Sequence, residues 1–199
     1  MDSSSVESVF LSASVPGPRR DPRYYATADI SAIREAVVAL ATVVLPNGSL
    51  LFGGHPAISP LILVIAQQFS ATKRVIIYQS EFFRNIVPKE SLAFPAITWT
   101  AAVPGDRPAS LEKMRRAMLT TQPIRAGVFI GGMEGVEAEY ELFRQIHPNL
   151  PAYAIASTGA AAHILFDAHP DQPPDPQLRP ALQHDLVYDA LFHSLHGVP

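Results

Sequence analysis

A short apolar run, Val128-Phe129-Ile130, breaks into Gly131-Gly132-Met133-Glu134-Gly135-Val136-Glu137-Ala138. From there it opens a helical pattern, Glu139-Tyr140-Glu141-Leu142-Phe143-Arg144-Gln145-Ile146. The run is bounded before by Gly127 and has the length and β-branched character of a buried parallel strand. Glycines at such a turn allow positive φ and let a ligand approach the backbone. The helix beyond points unpaired N–H groups and the positive end of its dipole at whatever sits above the turn. That favours a phosphate or a carboxylate. Glu134 and Glu139 at the same turn repel an anion, so they are expected to face hydroxyls or a sugar ring. Donors on one side and acceptors on the other suit a sugar phosphate or a nucleotide. A tight strand-to-helix turn with no ligand is the plainer reading of the same glycines.

The arrangement recurs. Ser8-Val9-Phe10-Leu11-Ser12 reads as a first strand, left through a loop of small residues, Ala13-Ser14-Val15-Pro16-Gly17-Pro18. A helix from about Ala28 to Val44, capped by Asp29 or Thr27, carries Ile30, Ile33, Val37, Leu40, Ala41 and Val44 on one face. Ser49–Phe52 is a second buried strand ending in Gly53-Gly54-His55-Pro56, and Ala57–Phe69 continues as a helix with Pro56 near its start. Arg74–Tyr78, Ile97–Thr100 and Ala152–Ala156 supply further strands. Ser110 is placed to cap a helix from Leu111 to Thr121. Ser157-Thr158-Gly159-Ala160 is a third strand-ending loop of small residues opening a helix, either a second phosphate site or a close helix contact. Arg19–Tyr25 is either a rim holding three arginines or a solvated loop. Strands alternating with helices imply an α/β fold, a Rossmann-like doubly wound parallel sheet with helices on both faces. Ligands of such sheets lie outside the carboxyl ends of the strands, where all the glycine turns fall.

Composition narrows the function. The 199 residues suit one domain with a small appendage, and with 48% hydrophobic and 17% charged residues a large core can be buried. The net charge of −3 comes without a basic block, which argues against nucleic acid as a partner. Absence of cysteine removes disulfides, thiolate nucleophiles and thiolate metal sites. The first eight residues do not resemble a signal peptide, and no stretch approaches the ~20 apolar residues of a membrane span. A cytoplasmic protein without membrane association is the expectation. The seven histidines lack metal-binding spacing, and neither the Rossmann dinucleotide fingerprint nor a Walker loop is present, so no metal and no cofactor is expected. No Gly-x-Ser-x-Gly elbow surrounds the serines, which read as ligand donors rather than nucleophiles.

The order strand–Ser-Ala-Ser, strand–Gly-Gly-His, a helix with Met-Arg-Arg, then Gly-Gly-Met-Glu-Gly and a downstream Glu resembles the SLOG superfamily. The resemblance runs from about Val9 to Phe166. That superfamily includes the Lonely Guy (LOG) phosphoribohydrolases, which cleave the base from a cytokinin nucleoside 5′-monophosphate. In those enzymes an Arg on the preceding helix and the Glu of Pro-Gly-Gly-x-Gly-Thr-x-x-Glu are the catalytic pair. By resemblance these are Arg115 and Glu139. The chain departs from that motif: Ile130 stands for the proline, one residue is extra between the glycines, and Val136 stands for the threonine. Gly-Gly-Met-Glu-Gly is more similar to the SLOG branch found with TIR proteins in bacterial defence systems, whose domains resemble sensors of NAD-derived nucleotides.

The resemblance implies a ligand pocket lined by Ser12, Ala13, Ser14, Gly53, Gly54, Gly131, Gly132, Glu134, Gly135 and Glu139. His55, Arg115, Met133, Ser157 and Thr158 join this set as further ligand contacts. It divides the chain into a SLOG-like Rossmannoid nucleotide-binding domain over residues 1–168, a proline-rich linker over 169–180 and a C-terminal helix over 181–199. That helix, with Leu182, Leu186, Val187, Ala190, Leu191 and Leu195 as its stripe, packs on the domain or on a partner copy in a dimer. The expected function is sensing of an ADP-ribose-like or cyclic ADP-ribose signal, alone or with a TIR-domain partner. The alternative is a LOG-like nucleoside 5′-monophosphate phosphoribohydrolase, in which a carboxylate stabilises a cation-like sugar and Arg115 clamps the phosphate.

Overall fold

A computed structural model describes residues 7–199. The expectation about a signal peptide rests mainly on residues 1–6 and lies outside the described residues. Strand β1 (Ser8–Ser14) leads through a short helix α1 (Pro22–Tyr25) to α2 (Ile30–Val44) and β2 (Ser49–Phe52). There follow α3 (Ser59–Gln68), β3 (Val75–Ser80), the single turn α4 (Lys89–Leu92) and β4 (Ala96–Thr100). Then come α5 (Arg107–Thr121), β5 (Ile124–Gly131), α6 (Glu134–Ile146), β6 (Ala152–Ile155) and α7 (Ala160–Ala168). Two short helices, α8 (Arg179–His184) and α9 (Tyr188–Ser194), end the chain.

The six strands form one all-parallel sheet in the order β4-β3-β2-β1-β5-β6. The chain builds outward from β1 to β4, then crosses back through α5 to place β5 on the other side of β1. The order therefore reverses between β1 and β5, the place where open α/β sheets bind ligands. Helices α2 and α3 pack together, and α5 packs against β3, β4 and α6. Buried runs such as Leu50-Leu51-Phe52 and Val128-Phe129-Ile130 carry no polar alternation because both faces of the sheet are covered. Beneath α6 the core is aromatic. Phe10 stacks on Phe143 with ring centroids 5.8 Å apart, and Phe129 meets Tyr140 edge-on at 4.9 Å. Val136, Tyr140 and Phe143, at helical spacing, bury one stripe of α6 and so fix where its other faces point.

Several boundaries differ from those expected. β5 begins at Ile124, so Gly127 lies inside the strand. A Cβ there would stand 2.9 Å from the Phe143 ring, so packing excludes any larger residue. Helix α6 begins at Glu134 rather than Glu139. Asp106, not Ser110, caps α5 by accepting from the Ala109 N–H at 2.8 Å. Ser110 sits inside the helix and ties it to the Val103 backbone. Helix α3 begins at Ser59, and the proline of its first turn is Pro60 instead of Pro56. The final segment is two helices separated at Asp185–Val187, which leaves Leu186 and Val187 exposed instead of on a buried stripe. Leu182, Leu191 and Leu195 are buried, and α9 packs on α2. In the proline-rich stretch the Arg179 guanidinium donates to the carbonyls of Phe166, His169 and Gln172, which fastens it to the end of α7. Among the described residues no helix is long and apolar enough to cross a membrane.

Candidate ligand cavity at the switch point

A cavity of about 950 Å³ opens above the carboxyl ends of β1 and β2 and the first turn of α6. Pockets for small molecules and cofactors span roughly 300–1,000 Å³, so this one has room for a nucleotide with appendages. Leu11–Ser14, Phe52–Pro56 and Gln79 line it from the strand ends, and Met133–Val136, Ala138 and Glu139 from α6. Helix α5 contributes Met114 and Arg115, and Arg107 stands where that helix starts. Phe83, Ile86, Val87 and Pro88 close the side toward β3.

At the centre lies a three-residue cluster. Ser12 Oγ donates to Glu139 Oε2 at 2.6 Å, and Arg115 Nε donates to Glu139 Oε1 at 3.2 Å. The side chains of Arg115 and Glu139 are only 14% and 15% exposed. A pair so far removed from water repays desolvation only when its remaining valences are satisfied, and Ser12 supplies the second contact that Glu139 needs. Each member arrives on a different element. Ser12 is on β1, Arg115 on α5, and Glu139 stands beside the buried Tyr140 that anchors α6.

The two other carboxylates in the wall are paired as well. Glu134, at the start of α6, meets Arg20 from the loop after β1, and Glu112 meets Arg116 one turn along α5 at 2.7 Å. The sequence alone made Glu134 and Glu139 look repulsive to an anion. In the fold an arginine pairs with each of them; the Val136 and Glu137 N–H groups bond the Met133 carbonyl, so those of Glu134 and Gly135 are the ones left to an anion at the start of α6.

His55 completes the polar wall. Burial holds its imidazole below the ordinary pKa, which favours the neutral ring. Its Nδ1 accepts the Ala57 N–H at 3.2 Å, which leaves the proton on Nε2 as a donor. Gln79, buried at the end of β3, donates to the carbonyls of Gly53 and Gly54 at 2.6 and 2.8 Å and holds that turn open toward the cavity.

The SLOG cluster3 family model matches residues 23–196. The chain belongs to that family. The match takes in both terminal helices and begins after β1, which supplies Ser12 to the site. The X-ray structure of TM1055 is similar in fold, with 14% sequence identity, 81% of each chain covered and a TM-score of 0.58. No curated protein matches the chain.

Of the residues that the sequence and the SLOG resemblance together assigned to a ligand, Ser12, Ala13, Ser14, Gly53, Gly54, His55, Arg115, Met133, Glu134, Gly135 and Glu139 do share this one cavity. Gly131 and Gly132 do not line it. Their N–H groups are taken by Thr158 Oγ1 and the Ser14 carbonyl, both at 2.9 Å, so they shape the turn from behind. Ser157 and Thr158 also lie elsewhere. Thr158 is fully buried, and Ser157 bonds the Tyr188 hydroxyl. The third small-residue loop packs closely against the segment at Thr27. The Thr27 carbonyl crosses directly over Gly159, where a Cβ would lie 1.8 Å away, and Thr27 Oγ1 accepts the Ala160 N–H. That loop makes a close backbone contact, and the N–H groups of Gly159, Ala160 and Ala161 are taken by the Ala156 carbonyl, Thr27 Oγ1 and the Gly132 carbonyl.

Arg20, Gln79, Phe83 and Arg107 are cavity residues that sequence reasoning did not place there. Arg20 falls in the arginine segment read as a rim or a solvated loop, and it is a rim. The segment is pinned to α6 further along, where Arg23 Nη2 donates to Glu137 at 2.9 Å and the Tyr24 hydroxyl donates to it at 2.7 Å. Gln79 and Arg107 carried no signal, since a polar residue ending a strand and an arginine in a Pro-Gly-Asp loop are ordinary in solvated turns.

Proposed function

We propose that the cavity binds an NAD-derived nucleotide, ADP-ribose-like or a cyclic isomer, as a signal that the protein recognises without consuming it. Family membership supports a nucleotide-related function. The observation that carries the sensing role is the state of Glu139. Both its oxygens are engaged, one by Ser12 and one by Arg115. A carboxylate held in this way is a fixed acceptor edge for ribose hydroxyls. Each oxygen keeps a further lone pair, which a ribose hydroxyl can address without disturbing the bonds to Ser12 and Arg115. The N–H groups at the start of α6 and the free nitrogens of Arg115 supply the donors for a phosphate. Recognition on behalf of a TIR-domain partner, as a homodimer in the cytoplasm, belongs to the same proposal and rests on the resemblance alone.

Hydrolysis in the LOG manner is the second reading, favoured by the placement of Arg115 and Glu139 side by side in the cavity wall. One experiment separates the two. Purified protein is titrated with AMP, NAD, ADP-ribose and cyclic ADP-ribose isomers by thermal shift, and each mixture is then resolved by chromatography. A stabilised protein with the nucleotide recovered intact is the expected result. Free base that disappears in Glu139→Gln would replace sensing with hydrolysis, and no shift with any nucleotide would overturn both.

A further inference from the structure

The charges around the cavity do not cancel evenly. Its wall holds three carboxylates, and each has its own arginine: Glu112 with Arg116, Glu134 with Arg20, Glu139 with Arg115. Arg107 is the remaining arginine of the wall, and among the described residues no carboxylate lies within ion-pair distance of it. It stands at the first position of α5, where the positive end of the helix dipole disfavours a cation. A basic residue placed against the local field, facing a cavity and lacking a counter-charge, fits a requirement from outside the fold. Its guanidinium lies 5.9 Å from the centre of the Phe83 ring, and Phe83 and Ile86 give the same side of the cavity an apolar face.

We infer that Arg107 is a specificity residue that recognises a second phosphoryl group, so that the cavity selects nucleotides carrying two phosphoryl groups over monophosphates. Arg115 and Arg107 lie on one helix a little over two turns apart, which separates their backbones by about 12 Å at about 1.5 Å per residue. With one phosphate seated at Arg115 and the α6 N-terminus, the phosphoryl group joined to it extends toward Arg107, and the rest of the ligand lies beyond. There Phe83 and Ile86 supply the apolar surface for a base or ribose. A nucleoside monophosphate has no anion to offer at that end. A diphosphate bridging two sugars has.

This inference rests on the nucleotide reading above, and its test separates the two. Affinities for AMP, ADP and ADP-ribose are measured by calorimetry on the wild type, Arg107→Ala, Arg107→Lys and Arg115→Ala. Loss of one charge-assisted contact is worth about tenfold or more. Arg107→Ala is expected to lower the affinity for ADP and ADP-ribose about tenfold more than that for AMP. Arg107→Lys should recover part of the difference, and Arg115→Ala should weaken all three ligands together. Equal losses for AMP and ADP-ribose in Arg107→Ala, or none, would overturn the role of Arg107 while leaving nucleotide binding standing. A wild type that binds none of the three overturns both. Position 107 is exposed, and circular dichroism of each variant checks that the helix content of the wild type is retained.

Discussion

A methyl group on Gly54 would stand 2.7 Å from Nε2 of Gln79, the atom that donates to the carbonyls of Gly53 and Gly54. Gly54 has φ of +66°, so two independent constraints meet at that position, a left-handed backbone and a neighbour that cannot withdraw without breaking its bonds. Gly105 offers the control. Its φ is +72°, and a Cβ there meets nothing within 4 Å. Gly105→Ala should cost about 1 kcal/mol, the strain of a non-glycine residue at positive φ. Gly54→Ala adds overpacking against Gln79 and should cost about 2–4 kcal/mol. Urea denaturation of both variants checks this, and equal losses would mean that Gln79 does not brace the turn.

That brace marks the limit of what the sequence made visible. The six strands, their alternation with helices and the glycine turns at one sheet edge follow from short apolar runs and periodicity. Those signals are local and depend on burial. Arg115 and Glu139 were found through a family pattern, and they do meet. The partners that define their chemistry are another matter. Ser12, read only as a ligand donor at the end of the first strand, proves to hold one oxygen of Glu139. Arg20 reaches Glu134 across more than a hundred residues, and no local pattern encodes such a pairing. Thr158 looked like a ligand donor for the same reason that it is buried. A hydroxyl beside a glycine serves a backbone N–H as well as it serves a phosphate, and only the path of Thr27 over Gly159 decides between the two uses.

The Arg20–Glu134 pair is exposed on both sides, so its contribution to stability is small, below about 1 kcal/mol. Its effect should appear in binding. Arg20→Ala leaves Glu134 uncompensated at the α6 N-terminus, where an anion is to sit. A charge there is worth about 0.3–1 kcal/mol, or about two- to fivefold in affinity for a nucleotide phosphate. Adding Glu134→Gln should restore the affinity, because the repulsion is gone. If the double variant stays as weak as Arg20→Ala, then Arg20 contacts the ligand directly and does not serve by neutralising Glu134.

Alkaline pH should loosen the fold through its buried tyrosines. Burial, followed by donation to Glu137, pushes the Tyr24 hydroxyl from 10.0 up to about 12. Burial is also the main cause at Tyr153, raised to about 12, and it raises Tyr140 and Tyr188. In each case the folded state keeps a proton that the unfolded chain releases near pH 10. Between those values the unfolded state binds fewer protons, so stability falls as pH rises. Their contribution is complete below about pH 10 and drains away through about pH 12. Tyr24→Phe removes one of these groups and one hydrogen bond. The variant should be less stable than the wild type near neutrality by about 0.5–1.5 kcal/mol. Its decline across the alkaline range should be shallower, so the two curves converge as pH rises. Urea midpoints taken at a series of pH values, with tyrosinate absorbance followed in parallel, test both parts. Parallel curves would show that Tyr24 ionises as freely in the folded protein as in the unfolded chain, and that its bond to Glu137 does not hold the rim segment on α6.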